Sequence, residues 1–315
     1  MLALLVKRLL MAIPTLLGVS VIIFILLSEL PGDPLAGLLA QDATAADREE
    51  LAEALGLNDP LPVRYLKWLG DAVQGDFGYS PYRRREVSDL IGTAMQNTLR
   101  LAVASVALGV GAGVVLGTVA AANRGRLLDR VVSLVAMTGI SVPSYWLAIL
   151  LIIVFSANLQ WLPSSAMQGQ EPGLIDTLKH LVLPAFASAF VSIGVTARMT
   201  RASLLETYGE DFVTTLRAKG LGAFQILRHV GKNSLSPVLT VAGLQVGFLL
   251  GGSVLVETIF SWPGLGQLIY QAISSRDFRV IQAAVLVTSV LFVFTNLAVD
   301  MLQLVIDPRL RSAGR

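Results

Sequence analysis

Residue types that carry out chemistry in proteins are scarce in this 315-residue chain. It contains no cysteine, which excludes disulfides, thiolate metal sites and cysteine nucleophiles. The two histidines, His180 and His229, are far apart in sequence, so we do not expect them to form a metal site. Gly231-Lys232-Asn233 lacks the upstream glycine and the final hydroxyl of a phosphate-binding loop. We therefore predict that the chain is not an enzyme, has no ATPase motif and holds no cofactor.

The composition is that of a membrane protein. Apolar residues make up 54% of the chain, charged residues only 15%, and the mean hydropathy is +0.68. A water-soluble domain could not hide so much apolar surface. The formal net charge is +2, but the basic residues lie in short loops beside apolar stretches rather than on one soluble face. Lipid is therefore the expected environment, and nucleic acid is not an expected partner.

Six apolar stretches approach the roughly 20 residues that a helix needs to cross a bilayer. They run over Leu9–Leu30, Thr98–Ala122, Val131–Ala157, Leu181–Ala197, Pro237–Phe260 and Val280–Ile306. Pro143 and Pro184 fall inside two of them, and proline removes a backbone donor, so we predict kinks there. The pattern predicts an all-α polytopic membrane protein with six transmembrane helices.

Lysine and arginine collect in alternate loops, and such loops stay in the cytoplasm. The basic clusters lie before the first stretch, between the second and third, between the fourth and fifth, and after the last. Both termini are therefore expected to be cytoplasmic. The predicted divisions are an N-terminal helix over 1–30, an extracytoplasmic segment over 31–96 with short helices of its own, a five-helix core over 97–306 with a cytoplasmic loop at 199–236, and a cytoplasmic tail over 307–315.

Ion-coupled transporters usually place ionisable groups near the middle of the bilayer. Here the ionisable residues of the spans, Glu29, Arg100, Glu257 and Asp300, lie toward span ends. An ion-coupled secondary transporter is therefore disfavoured, although it stays open as a second class of function.

Glycines recur every four residues in two of the stretches. Gly109, Gly113 and Gly117 form one series, and Gly243, Gly247 and Gly251 form the other. Helices in lipid associate through close backbone approach at small residues. The series predict tight helix contacts, within this chain or with a partner, and the alternative is that they are sliding surfaces of a gate.

The loop over 199–236 is too long and too charged to be a simple connection. Residues Asp211–Gly220 are typical of a short helix ended by glycine, and Ser203 and Glu206 have the spacing of a capping box. Phe212 and Leu216, four residues apart, would share one face. That face would either fill a groove in a soluble partner or lie on a surface as an amphipathic helix.

Several motifs, in the same order, resemble those of binding-protein-dependent ABC importer permeases of the dipeptide, oligopeptide and nickel branch. They are Pro31–Pro34, Gly75–Gly78, the loop Glu210–Leu221 with Lys232–Val238, Val256–Gly266, Arg276-Asp277 and the tail Asp307–Arg309. In the general family the loop begins Glu-Ala-Ala, whereas Thr214, Thr215 and Leu216 stand at those places here.

The resemblance implies the type I ABC importer permease architecture in a bacterial cytoplasmic (inner) membrane. It also implies four kinds of partner: a second similar permease, two ABC ATPase subunits that bind ATP and magnesium, an extracytoplasmic solute-binding protein, and membrane lipid. Di- or oligopeptides are the leading solutes, and glutathione, opines and nickel chelates remain alternatives.

The resemblance further implies two sets of site residues. The set that would couple to the ATPase comprises Asp211, Phe212, Thr214, Thr215, Leu216, Arg217, Ala218, Lys219 and Gly220. The set that would gate the pathway or receive the binding protein comprises Glu257, Pro263 and Gly264.

Overall fold

The computed structural model describes residues 2–29, 44–54, 56–167, 173–252 and 254–306. The motif Pro31–Pro34 and the tail 307–315 lie outside the described residues. Thirteen α-helices and one two-stranded hairpin make up the described structure. In chain order they are α1 (Leu2–Glu29), α2 (Ala45–Ala54), α3 (Leu61–Val73), β1 (Tyr79–Ser80), β2 (Arg85–Glu86), α4 (Val87–Ala122), α5 (Leu127–Ser141), α6 (Ser144–Leu151, continued as a π-helix over Ile152–Asn158), α7 (Leu174–Tyr208), α8 (Asp211–Ala218), α9 (Ala223–Asn233), α10 (Leu235–Gly252), α11 (Val254–Ile259), α12 (Leu265–Ser275) and α13 (Phe278–Ile306).

Four helices are long and apolar enough to cross a bilayer within the described residues, namely α1, α4, α7 and α13. A fifth span results if α5 and α6 are counted together, although they are bent by 107°. Helix α10 is apolar but shorter, and α11 follows it as a separate short helix. The all-α membrane architecture is confirmed, whereas the count of six transmembrane helices is not.

The predicted interruption at Pro143 is confirmed and is larger than a kink. Val142 is extended, with φ −85° and ψ 123°, as the residue before a proline prefers to be. Helix α5 therefore ends at Ser141, and Pro143 starts α6 in a new direction. Helix α7, in contrast, continues through Pro184 and is much longer than the predicted stretch, so no break accompanies the second proline.

The chain divides into two compact units. The first comprises residues 1–5, 99–262 and 294–315, and the second comprises residues 6–98 and 263–293. In the first unit the apolar core is built around α7. Its largest fully buried side chains include Phe260, which packs with α6 and α7 residues, and Trp262, which packs with Leu101 and Ala185.

The first glycine series holds α4 against α7 inside the first unit. A Cβ added at Gly113 would lie 2.6 Å from Thr196 Cβ, and one at Gly109 would lie 2.8 Å from Ser192 Cβ. The predicted tight contact is therefore confirmed, and its partner is α7 of the same chain. Within the second series Gly247 faces Asn296 of α13, with 2.7 Å between an added Cβ and Asn296 Oδ1. Side chains around Gly251 are outside the described set.

The second unit contains the short elements predicted for the extracytoplasmic segment. Thr44 and Asp47 form a reciprocal capping box before α2, with hydrogen bonds of 2.8 and 3.2 Å between backbone N–H and side-chain oxygen. The backbone and hydroxyl of Thr44 donate to the carboxylate and lower the pKa of Asp47. Tyr65 of α3 packs edge-on against Phe24 of α1 and hydrogen bonds Ser20 at 2.8 Å. The prediction of short helices in this segment is confirmed.

Buried polar contacts fix the hairpin of the second unit to α12 and α13. Ser80, which is fully buried, donates from its hydroxyl to the carboxylate of Asp277, itself 3% exposed. The core beneath them contains Val87, Leu268 and Val280. A buried hydroxyl needs this acceptor because an unpaired polar group in the interior is costly.

We expect Asp277→Ala to loosen the hairpin, because Ser80 then loses its carboxylate acceptor. Leaving a buried donor unsatisfied costs about 1–3 kcal/mol. Limited proteolysis between residues 74 and 87 should accelerate accordingly. Ser274→Ala is the control, since Ser274 is exposed on α12 and its hydroxyl donates to the carbonyl of Tyr270 in the same helix, 3.0 Å away. Equal cleavage rates in the two variants would show that the Ser80–Asp277 contact does not hold the hairpin.

Candidate functional site: a helical loop of the first unit

Helix α8 begins and ends as the sequence predicts. Its first residue, Asp211, places a carboxylate at the positive end of the helix dipole, and Arg217 lies in the last turn. At the other end Gly220 adopts φ +76°, its N–H bonds the carbonyl of Arg217 at 2.9 Å, and the N–H of Leu221 bonds the carbonyl of Leu216 at 3.2 Å. This is a Schellman ending, which requires the left-handed conformation at Gly220.

Helix α8 packs onto α9 and α7 through an apolar cluster that we call the loop core. Its buried members are Ala121, Leu204, Val213, Ile226 and Val230, and Val213 of α8 is only 1% exposed. Phe212 and Leu216 pack against the loop core and are partly buried. Part of the apolar surface of these two side chains is therefore used inside the chain, and a contact between their face and a partner's groove stays a prediction.

The opposite side of α8 is the exposed one. Its solvent-facing residues among the predicted coupling set are Asp211, Thr214, Thr215, Arg217, Ala218, Lys219 and Gly220. On α9 the side chain of Phe224, in the first turn of the helix, is 80% exposed. Seven of the nine predicted coupling residues thus lie within α8, and Lys219 and Gly220 follow its end. Two of the seven, Phe212 and Leu216, pack against the loop core.

Two serines join the end of this loop to α7. The hydroxyl of Ser203 donates to the carbonyl of Ser234 at 3.1 Å, and Ser234 Oγ lies 3.2 Å from the carbonyl of Ser203 and 2.8 Å from Thr207 Oγ1. Both serines are buried. Ser203 therefore lies inside α7 and caps no helix, so the predicted capping box with Glu206 is wrong.

Positive charge gathers at this end of the first unit. Ala121, at the end of α4, belongs to the loop core, so the loop that follows α4 lies at the same end as α8 and α9. The two regions together expose Arg124, Arg126, Arg130, Arg217, Lys219, Arg228 and Lys232. The two histidines lie on different helices: His180 is buried near the start of α7, and His229 is exposed on α9.

Both parts of the chain match known families of membrane transport proteins. Residues 113–312 match the family described as "Binding-protein-dependent transport system inner membrane component", and residues 1–102 match the N-terminal family of the same transport systems. The chain belongs to this family. It is a multi-pass inner-membrane permease subunit of an ABC importer, as the sequence motifs imply.

Relatives match this permease over nearly its whole length. The oligopeptide transport system permease protein AppB of Bacillus subtilis is 38% identical over 98% of this chain and 99% of its own. The glutathione transport system permease protein GsiC of Escherichia coli K12 is 41% identical over 97% of this chain and 98% of its own. A chain of the inward-facing MetNI methionine ABC transporter shares the fold with a TM-score of 0.56 at 20% identity, covering 69% of this chain and 96% of that chain.

The second predicted set of site residues is not gathered into one element of the permease. Glu257 is completely buried in α11 of the first unit, where its carbonyl accepts the N–H of Trp262 at 2.8 Å. Pro263 and Gly264 begin the part of the second unit that leads into α12. The carbonyl of Pro263 accepts Asn97 Nδ2 at 3.0 Å, and Gly264 is buried. Only Pro263 of the three is exposed.

Four features of the permease were not seen in the sequence analysis. Val213 anchors α8, and its spacing of three residues from Leu216 is a signal that could have revealed it. Ser234 lies within a motif whose residues give no sign of its hydrogen bonds to α7, and the exposure of Phe224 has no local signal. The ion pair between Asp129 and Arg201 was also missed, since the two residues are far apart in sequence and no local pattern connects them.

Proposed function

We propose that this permease carries short peptides, including glutathione-like peptides. The observation that carries the proposal is its identity of 38% and 41%, over nearly full length, to permeases named for oligopeptide and glutathione transport. Both names denote small solutes linked by amide bonds and bearing charged ends. A pathway that serves such solutes must tolerate variable side chains while passing a charged backbone.

We also propose the assembly in which it works: a second similar permease, two ATPase subunits that bind ATP and magnesium, and an extracytoplasmic solute-binding protein. In this assembly α8 is the coupling helix. The exposed Thr214, Arg217, Ala218 and Lys219 face the ATPase, while Val213 and Leu216 hold the helix on the permease. The exposed ring of Phe224 adds an apolar contact, the kind of anchor that fills pockets at interfaces. Gating or binding-protein contact at Glu257, Pro263 and Gly264 is part of the same proposal.

The proposed orientation places α8 and both termini in the cytoplasm. It is supported by the exposed arginines and lysines at one end of the first unit, since positively charged short loops stay inside. An extracytoplasmic location then follows for α2, α3 and the hairpin of the second unit, which lie between α1 and α4 in sequence.

The test is uptake by proteoliposomes that contain this permease with its partner permease, ATPases and binding protein. We expect uptake of a labelled tripeptide and of glutathione that requires enclosed ATP and survives a protonophore. A matched assembly with an ATPase subunit unable to hydrolyse ATP should take up neither solute.

Two results would contradict the proposal in different ways. ATP-dependent uptake of a nickel chelate or an opine, with neither peptide transported, would keep the ABC permease and replace the solute. Uptake that persists without ATP and collapses with the proton gradient would instead establish an ion-coupled carrier.

A further inference from the structure

An ion pair connects α5 to α7 at the end of the first unit that carries the loop core. Arg201 of α7 donates to both carboxylate oxygens of Asp129, with Nε–Oδ1 and Nη2–Oδ2 distances of 2.6 and 2.9 Å. The backbone N–H of Gly125 also donates to Asp129 Oδ2 at 2.9 Å. The Asp129 side chain is 6% exposed and that of Arg201 is 33% exposed. Two parallel bonds from a planar guanidinium fix orientation as well as distance.

The position of Arg201 on α7 links this ion pair to the segment over 209–234 that contains α8 and α9, which we call the coupling loop. Ser203, two residues further, holds the α9–α10 junction through Ser234, and Leu204 belongs to the loop core. One turn of α7 therefore makes both contacts: Ser203 and Leu204 contact the coupling loop, and Arg201 contacts α5. A displacement of α8 and α9 must be carried by this turn because its contacts with them are buried.

Helices α5 and α7 also meet at a second place, where their backbones touch. A Cβ added at Gly139 would lie 2.9 Å from the carbonyl oxygen of Phe190, and one at Gly194 would overlap the carbonyl of Ala136. Beyond this crossing α5 ends at Ser141 and the chain turns by 107° into α6. Between this crossing and the ion pair, Val132 and Ala136 of α5 are also buried. The ion pair, almost three turns from the crossing, adds a contact of fixed orientation at the other end of the same helix pair.

We infer that Asp129 and Arg201 are positioning residues that make α5 and its bend move together with α7 and the coupling loop. This inference rests on the proposed function, in which α8 receives the motion of an ATPase. The pair acts at a distance from the solute, by transmitting the displacement of the loop core to the α5–α6 bend. Loss of the pair lets ATP hydrolysis proceed while α5 lags behind.

If the ion pair served stability alone, a variant that keeps the stability should also keep normal transport. One double variant tests this. Replacing a buried ion pair by apolar residues of similar size is often neutral or stabilising, whereas removing one partner is costly. The double variant Asp129→Leu/Arg201→Met should therefore insert and retain its melting temperature. In the assembled transporter we expect it to hydrolyse ATP, while the amount of peptide transported per ATP falls about tenfold, the scale of coupling between contacting residues.

Two further variants keep the inference testable if the double variant Asp129→Leu/Arg201→Met does not fold. Arg201→Lys retains the charge but cannot make two parallel bonds, and Asp129→Asn retains the shape without the charge. We expect both to lower peptide transported per ATP, with Arg201→Lys the milder. Thr138→Ala is the control, because Thr138 is exposed on α5 and its hydroxyl donates to the carbonyl of Leu134 in the same helix, 2.9 Å away. This variant should transport normally.

The inference would be overturned if the double variant, or both single variants, transported as much peptide per ATP as the unaltered permease. That result is distinguishable from failure of the proposed function, in which the unaltered assembly itself shows no ATP-dependent uptake. It would leave the coupling role of α8 standing if a variant of Gly220 still uncoupled transport in the same assay.

Discussion

Replacing Gly220 with valine should reduce ATP-dependent uptake by roughly an order of magnitude while leaving membrane insertion unchanged. The cause is backbone conformation, because Gly220 has φ +76° and a Cβ there would meet nothing within 4 Å. An ordinary L-residue in the left-handed region costs about 1–2 kcal/mol, which lowers the ratio of native to opened loop by a factor of about 5–30. The Schellman ending of α8 then opens, and the exposed face of α8 loses its fixed direction.

The matched control for this variant is Gly222→Val. Gly222 lies two residues away, is also exposed with no atom within 4 Å of an added Cβ, and has φ −70° and ψ 161°, which any residue adopts. Its cap on α9 uses the backbone N–H, which donates to Gln225 Oε1 at 3.1 Å and survives the substitution. Uptake and membrane abundance should be measured for both variants. Normal uptake by Gly220→Val would count against α8 as the coupling element.

The second large effect is expected from Gly117→Ala, which should destabilise the first unit. An added Cβ would lie 2.6 Å from Thr200 Cβ and 3.1 Å from the backbone nitrogen of Arg201, and it would overlap the carbonyl oxygen of Ala197. Backbone atoms cannot move aside by changing rotamer, so α4 and α7 must separate. Overpacking of this kind costs about 1–3 kcal/mol, and separation also forfeits contacts along the whole helix pair.

Gly111→Ala provides the comparison, because Gly111 lies on the same helix and nothing is within 4 Å of its added Cβ. Alanine is the better helix former by about 1 kcal/mol, so this variant should be neutral or slightly stabilised. The midpoint of thermal unfolding should be measured for both variants in detergent, with the helical circular dichroism signal as the readout. Equal midpoints for the two variants would show that the close approach of α4 and α7 does not hold the unit together.

The glycine contact also bears on how the permease changes shape. Opposite the glycines, α7 presents hydroxyl side chains at a spacing of four residues, and their oxygens have no hydrogen-bond partner within the described residues. They are Ser188, Ser192, Thr196 and Thr200. Small residues on one helix and short hydroxyls on the other give a smooth surface with few interlocking side chains. The alternative of a sliding surface therefore remains a prediction beside the confirmed tight contact.

Much of the fold follows from local pattern. Apolar stretches of sufficient length predict helices in lipid because hydrocarbon offers no partner for an unpaired backbone group. The end of α8 at Gly220 and the interruption at Pro143 could also be predicted, since both depend on the conformations that one residue type permits. The number of spans could not be settled this way, because α5–α6 is sharply bent and α10 is short.

The sequence by itself determined that this protein is helical, lies in a membrane and resembles a permease of an ABC importer, since composition and motif order are properties of the chain alone. Tertiary structure decided which surfaces are free. Spacing showed that Phe212 and Leu216 share a face, but only packing showed that this face lies against the loop core. The pairing of Asp129 with Arg201 was likewise settled by tertiary structure, because helix periodicity relates residues within one element and carries no information about which charges meet across two.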